Sequence, residues 1–129
     1  MRYLLDSNVL YWYITNRSRL TRRVERLLDD TGHELFVSTA SLWELSIKIA
    51  KGKLIVPNST ILSFYEQVDR LGIAILPITR AHILRTETLP HHHGDPFDRM
   101  IIAQALEDRL TILTADADIP LYAAPVIWK

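Results

Sequence analysis

The chain has 129 residues, a length that suits one compact domain able to bury a core without a disulfide or metal staple. Apolar residues make up 48% and charged residues 23%, which excludes a disordered chain; the absence of cysteine excludes disulfides and thiolate metal sites and agrees with a reducing cytoplasm. The 15 basic and 15 acidic residues cancel, unlike a general nucleic-acid coat, but the basic groups are clustered: Arg17, Arg19, Arg22, Arg23 and Arg26 in one run, Lys48, Lys51 and Lys53 in another.

Tyr3-Leu4-Leu5 predicts a short buried strand that ends at Asp6. This apolar stretch is too short for the apolar region of a signal peptide, and no run approaches the ~18 residues of a membrane span. A soluble, intracellular protein is expected. Asn8 to Ile14 predicts a short helix, followed by a polar loop. Thr21 is placed to cap a helix over 22–30, with Val24, Leu27 and Leu28 at helical spacing. Leu35-Phe36-Val37 predicts a second strand; Ser38 or Thr39 then caps a helix to about Ala50, ended by Gly52. Pro57 and Asn58 form a break before a helix from Thr60 to Leu71, stopped by Gly72. Residues 73–76 predict a third strand, Thr79 caps a helix to about Thr86, and 90–94 form a loop. A helix over 97–109, a strand over 110–113 and a further strand at 125–128 complete the chain. Short apolar strands alternating with helices predict an α/β fold with a mainly parallel sheet covered on both faces. Ligands of such sheets bind beyond the carboxyl ends of the strands.

Four acids are placed to meet at that rim. Asp6 follows the first strand, where capping of the next helix is the alternative role. Ser7 and Asn8 either support a site there or cap the helix. Glu44 lies on a helix that is apolar on most sides (Leu42, Trp43, Leu45, Ile47, Ile49), which predicts burial in the core or an interface. A lone acid there is expensive unless paired or cation-bound; an exposed pair with Lys48 is the competing reading. In Gly94-Asp95-Pro96-Phe97-Asp98, Asp95 reads as the helix cap and Pro96 as the first helical residue. A first-turn role explains Asp95 better than Asp98, whose neighbours are apolar. Asp116 follows the fourth strand, where a polar turn accounts for it equally well, and Asp118 reads as solvated. His91, His92 and His93 cannot all reach one ion from adjacent loop positions and read as a solvated loop beside the site. His33 and His82 show no partner in the sequence.

Taken together, Leu4-Leu5-Asp6-Ser7-Asn8-Val9-Leu10, Ser41-Leu42-Trp43-Glu44, Asp95-Pro96-Phe97-Asp98-Arg99 with Ile102-Ala103-Gln104-Ala105, and Leu113-Thr114-Ala115-Asp116 form an ordered series across nearly the whole chain. In that series the chain resembles the PIN-domain family, and within it the VapC-type toxins of bacterial toxin–antitoxin pairs. The resemblance implies a single domain over 1–129 with a three-layer α/β/α sandwich and a mainly parallel sheet of four to five strands. It implies that Asp6, Glu44, Asp98 and Asp116 are the acidic catalytic and metal-binding residues of an endoribonuclease using Mg²⁺ or Mn²⁺. It also implies a homodimer held inactive by a small antitoxin. All four acids match the pattern; the loop from His91 to Gly94 carries no family role.

Oxygen-only ligands suit a hard divalent cation better than zinc. On this reading Asp6 and Asp98 are the central ligands of one or two ions, with Glu44 and Asp116 completing the site or acting through water. Ser7, Asn8 and Thr114 would orient them. An acidic pocket repels phosphate, so Arg99, Lys48, Arg22 and Arg23 are candidates to grip the RNA backbone. Two other classes compete: a non-catalytic cation-binding regulatory module, and a scaffold serving dimerisation. A receiver-type phosphoacceptor would want paired acids after the first strand and a late lysine in the sheet. Asp6 stands alone before Ser7, and the late lysine is Lys129.

Overall fold

Tyr3, Leu4 and Leu5 are all buried because β1 (Arg2–Leu5) runs through the centre of a sheet covered on both faces. The computed structural model describes residues 1–56 and 60–129, so the break expected at Pro57 and Asn58 lies outside the described residues. β2 (Glu34–Ser38), β3 (Ala74–Leu76), β4 (Thr111–Leu113) and β5 (Val126–Ile127) join β1 in the order β3-β2-β1-β4-β5, every pairing parallel. The chain builds outward from β1 to β3 on one side. It then crosses back to build β4 and β5 on the other.

Successive strand side chains point to opposite faces, which sorts the helices into two layers. Tyr3, Leu5, Leu35, Val37 and Leu113 face a core shared with α1 (Ser7–Thr15), α2 (Arg22–Asp29), α3 (Thr39–Ala50) and α4 (Ile61–Arg70). Leu4 and Ile112 face a second core with Ile101, Ile102 and Ala105 of α6 (Pro96–Asp108), against which α5 (Arg80–Thr88) packs. The result is the expected α/β/α sandwich, with a sheet that is parallel throughout. Burying one Leu or Ile side chain completely stabilises the fold by roughly 1.5–3 kcal/mol. No described helix is long and apolar enough to cross a membrane.

Local chemistry sets the helix ends. Thr21 accepts from the Val24 N–H, Ser38 from Ala40 N–H, and Asp95 from the N–H groups of Phe97 and Asp98. Gly52 and Gly72 follow α3 and α4 with φ of 70° and 72°, the left-handed conformation that glycine adopts without penalty. The residues 17–19 and 119–121 form single 3₁₀ turns that the sequence pattern did not predict.

Two histidines without an expected partner have one. His82, 1% exposed, completes a capping box with Thr79 and places Nε2 2.9 Å from Asp108 Oδ2, tying α5 to α6. The ring stands where a capping box usually carries Glu or Gln. His33 lies 3.2 Å from Asp30 and packs edge-on against Tyr3. The expected burial of α3 holds along most of its length, with Ala40, Ser41, Leu42 and Leu45 buried, but Trp43 is 64% exposed. α3 packs against the sheet, α1, α4 and α6, and Trp43, though largely exposed, meets the Phe97 ring of α6 edge-on at 5.4 Å.

Candidate acidic site at the carboxyl rim

All five strands end at one rim, and the order reversal falls between β1 and β4, where crevices form in parallel sheets. Asp6 is the first residue past β1, and its N–H donates to Leu113 O at 3.0 Å. Thr114 and Asp116 follow β4 on the adjacent strand. Glu44 sits on α3 in one helical layer, and Asp98 in the first turn of α6 in the other. The rim is where the two layers meet.

Hydroxyls connect these groups. Asp6, 5% exposed, accepts from the Ser7 N–H at 2.7 Å and from Thr114 Oγ1 at 2.7 Å. Thr114 Oγ1 in turn accepts from the Asp116 N–H at 3.0 Å. Ser7 Oγ donates to Glu44 Oε1 at 2.5 Å, while Lys48 Nζ lies 3.1 Å from Glu44 Oε2. Asp6 and Glu44 therefore serve their local roles, cap and i, i+4 pair, while standing at the rim. Asn8 is exposed on α1, and no side-chain hydrogen bond from it occurs among the described residues. Asp118 is exposed, and its N–H closes a turn onto Asp116 Oδ1 at 2.7 Å.

The electrostatics mark the cluster as one neighbourhood. Burial pushes Asp6 from 3.8 up to about 6; the Thr114 and Ser7 hydrogen bonds oppose this, and the charges of Glu44 and Asp116 add to it. Asp98, 8% exposed, is pushed up to about 8 by burial first, then by the charges of Asp6, Asp95, Asp116 and Glu44. Among the described residues no Lys or Arg pairs with Asp6 or Asp98. What the two central carboxylates lack is positive charge. Their oxygen-only chemistry fits a hard cation. Among the described residues no three acidic or histidine side chains converge tightly enough to hold an ion by themselves. Ser41, one turn before Glu44 on α3, has a buried hydroxyl without a partner among the described residues.

The loop after α5 departs from expectation. His91 and His92 are exposed, as a solvated loop predicts, but His93 turns inward. Its Nε2 lies 3.2 Å from Asp98 Oδ2, and its Nδ1 lies 2.7 Å from the Tyr122 hydroxyl. Position alone hinted at this, since His93 precedes the α6 cap by two residues. Nothing in the sequence pointed to Tyr122. Arg99 donates to Pro90 O, Thr86 O, Leu89 O and Tyr122 Oη at 2.8–3.3 Å. Its guanidinium fastens this loop, and those donors are engaged within the protein.

The basic run divides. Arg17 pairs with Asp29 at 2.6 Å, and Arg19 lies over the Trp12 ring. Arg22 and Arg23 open α2, which is anchored at the rim end of β5: Thr21 Oγ1 donates to Trp128 O, and Arg23 Nη1 to Lys129 O. An apolar groove of about 300 Å³, lined by Ala40, Trp43, Ile78, Pro96, Phe97 and Met100, flanks the acids between α3 and α6.

The fold and rim define a three-layer α/β/α protein with a parallel sheet and carboxylates gathered at its topological switch point. The chain belongs to the PIN domain family, whose pattern matches residues 3–125. Ribonuclease VapC22 of Mycobacterium tuberculosis is 29% identical to it over 129 residues, spanning 97% of both chains. Similar solved structures include VapBC2 of Rickettsia felis bound to a promoter DNA fragment, with a TM-score of 0.73 at 16% identity and full coverage of both chains. DNA-bound VapBC of Salmonella typhimurium matches with a TM-score of 0.73 at 18% identity over 98% of this chain and 97% of that one. FitAcB of Neisseria gonorrhoeae matches with a TM-score of 0.68 at 21% identity over 97% and 96%. At these identities the structural matches establish the fold.

Proposed function

We propose that this chain is a cation-dependent endoribonuclease, a single domain over 1–129 that hydrolyses RNA phosphodiester bonds at the rim built from Asp6, Glu44, Asp98 and Asp116. The observation that carries the reading is the pair of buried carboxylates, Asp6 and Asp98, held near each other's charge without a Lys or Arg partner among the described residues. The similarity to a ribonuclease matched over 97% of both chains supports it. Mg²⁺, or Mn²⁺ in its place, is the expected cofactor. Bound there, one or two such ions would activate water and neutralise charge on the phosphate.

The protein's own groups would orient and supply charge. Asp6 and Asp98 are the central ligands; Glu44 and Asp116 complete the site directly or through water. Thr114 and Ser7 hold the carboxylates in place through their hydroxyls. Arg22 and Arg23 at the start of α2, and Lys48 beside Glu44, are the candidates to meet RNA phosphates; Arg23 also donates to Lys129 O. We further propose the role of toxin in a toxin–antitoxin pair: a cytoplasmic homodimer restrained by a small antitoxin protein. The fold shared with VapBC and FitAB assemblies supports that partner.

The test is RNA cleavage by the partner-free protein with Mg²⁺, with Mn²⁺ and with chelator. Cleavage should require the cation, and Asp6→Asn and Asp98→Asn should each lower it by ~100-fold or more, at least the loss typical of a supporting residue around a metal. Wild-type cleavage by either variant would overturn the four-acid site. Cation binding without turnover on any RNA would instead favour a binding or dimerisation module.

A further inference from the structure

We infer that Tyr122 and His93 form a positioning pair that holds the Asp98 carboxylate in its cation-binding orientation. This rests on the proposed cation site and adds two residues to it.

The hydrogen bonds fix the direction of the chain of contacts. The Tyr122 oxygen lies 3.1 Å from Arg99 Nη1 and 3.3 Å from the His93 backbone nitrogen. Both groups can only donate, so both fill acceptor positions on the phenol oxygen. The phenol's own proton is then left for His93 Nδ1, at 2.7 Å. With Nδ1 accepting, the ring proton of neutral His93 resides on Nε2 and is donated to Asp98 Oδ2, at 3.2 Å. The order is Arg99 to Tyr122, Tyr122 to His93, His93 to Asp98.

Each link is mechanically supported. Arg99 also holds the carbonyls of Thr86, Leu89 and Pro90, which fastens the loop to the end of α5. Tyr122 is 5% exposed, and the exposed His92 ring packs edge-on against it at 4.8 Å. His93 thus approaches Asp98 from a braced position. Among the described residues Asp98 Oδ1 has no hydrogen-bond partner, and it is not among the solvent-sealed orphan atoms. The arrangement ties down one oxygen and leaves the other open for a ligand. Groups that orient metal-binding carboxylates in this way typically govern affinity by 10–100-fold.

The experiment titrates Mn²⁺ into metal-free wild type and into Tyr122→Phe, His93→Ala and His93→Gln, by calorimetry. RNA cleavage is assayed in parallel, and affinity is referred to the folded fraction measured by circular dichroism. Tyr122→Phe and His93→Ala should weaken Mn²⁺ binding by about 10–100-fold per folded molecule. His93→Gln, whose amide can still donate to Asp98, should recover part of the loss. Wild-type affinity in the folded fraction of both Tyr122→Phe and His93→Ala would overturn the inference, even if those variants melt earlier. A wild type that neither binds Mn²⁺ nor cleaves RNA would overturn the functional reading and this inference together. A wild type that does both, beside variants of unchanged affinity, would overturn only the inference.

Discussion

Thr114 Oγ1 donates a 2.7 Å hydrogen bond to Asp6 Oδ2 across 108 positions of sequence, joining the end of β4 to the end of β1. The same oxygen accepts from the Asp116 N–H, so one hydroxyl sets two of the four acids.

Removing that hydroxyl should loosen both. Thr114→Val keeps the side-chain shape but leaves Asp6 with the Ser7 N–H alone, and the Asp116 segment loses its anchor. Cation affinity is expected to fall about 10-fold, the lower end for a group that orients a metal ligand. Calorimetric Mn²⁺ titration checks this, and an unchanged affinity would remove Thr114 from the site.

The pH dependence should differ with and without cation. Asp6 at about 6 and Asp98 at about 8 both stand above 3.8, the ordinary value of an unfolded chain. Between about pH 4 and pH 8 the folded protein therefore keeps protons that the unfolded chain has released. Stability of the metal-free protein falls as pH rises through that window. A cation competes with the same protons, so affinity and cleavage rise over it, most steeply between about pH 6 and 8. Melting temperatures near pH 5 and pH 8, with and without Mg²⁺, read both effects. A cation-free melting temperature that holds or rises toward pH 8 would contradict the charge assignment.

Asp95 and Asp98 stand three residues apart in one helix start and should respond oppositely. Asp95→Ala removes the cap of α6 and should cost about 1 kcal/mol of stability, leaving Mn²⁺ affinity within a few-fold. Asp98→Asn replaces a buried carboxyl that other acids keep protonated up to about pH 8 with a neutral amide, so it should abolish tight Mn²⁺ binding without lowering the metal-free melting temperature. Chemical denaturation beside calorimetry separates the two. Equal stability losses would mean that Asp98 is only a second helix starter.

The parallel sheet and the helix caps were legible because each rests on short-range chemistry. Thr21, Ser38, Thr79 and Asp95 cap within three residues, and Gly52 and Gly72 take the backbone turn that other residues resist. The acids were legible as rim positions, since strand ends locate the rim. What could not be read was which of three identical neighbours faces inward. His93 is set apart from His91 and His92 by its bonds to Asp98 and to Tyr122, the latter about thirty positions away. Nor did the apolar run of α3 reveal that Trp43 is the large side chain it leaves exposed, because a helix apolar all round has no periodicity to orient it. Arg99 looked like a free cation, and its four internal bonds depend on where a loop folds back.

The placement of Asp6 at the end of the first strand and of Thr114 and Asp116 after the fourth bears on synthesis. Chains emerge from the ribosome amino terminus first, and early segments begin to fold before late ones exist. Here the central strand has no neighbour on its β4 side until residues 111–113 appear. Asp6 lacks the hydroxyl that holds its Oδ2 until Thr114 follows that strand. On the proposed reading, a chain that stops before Thr114 would lack both Asp116 and the hydroxyl that holds Asp6, and its acidic rim would be incomplete.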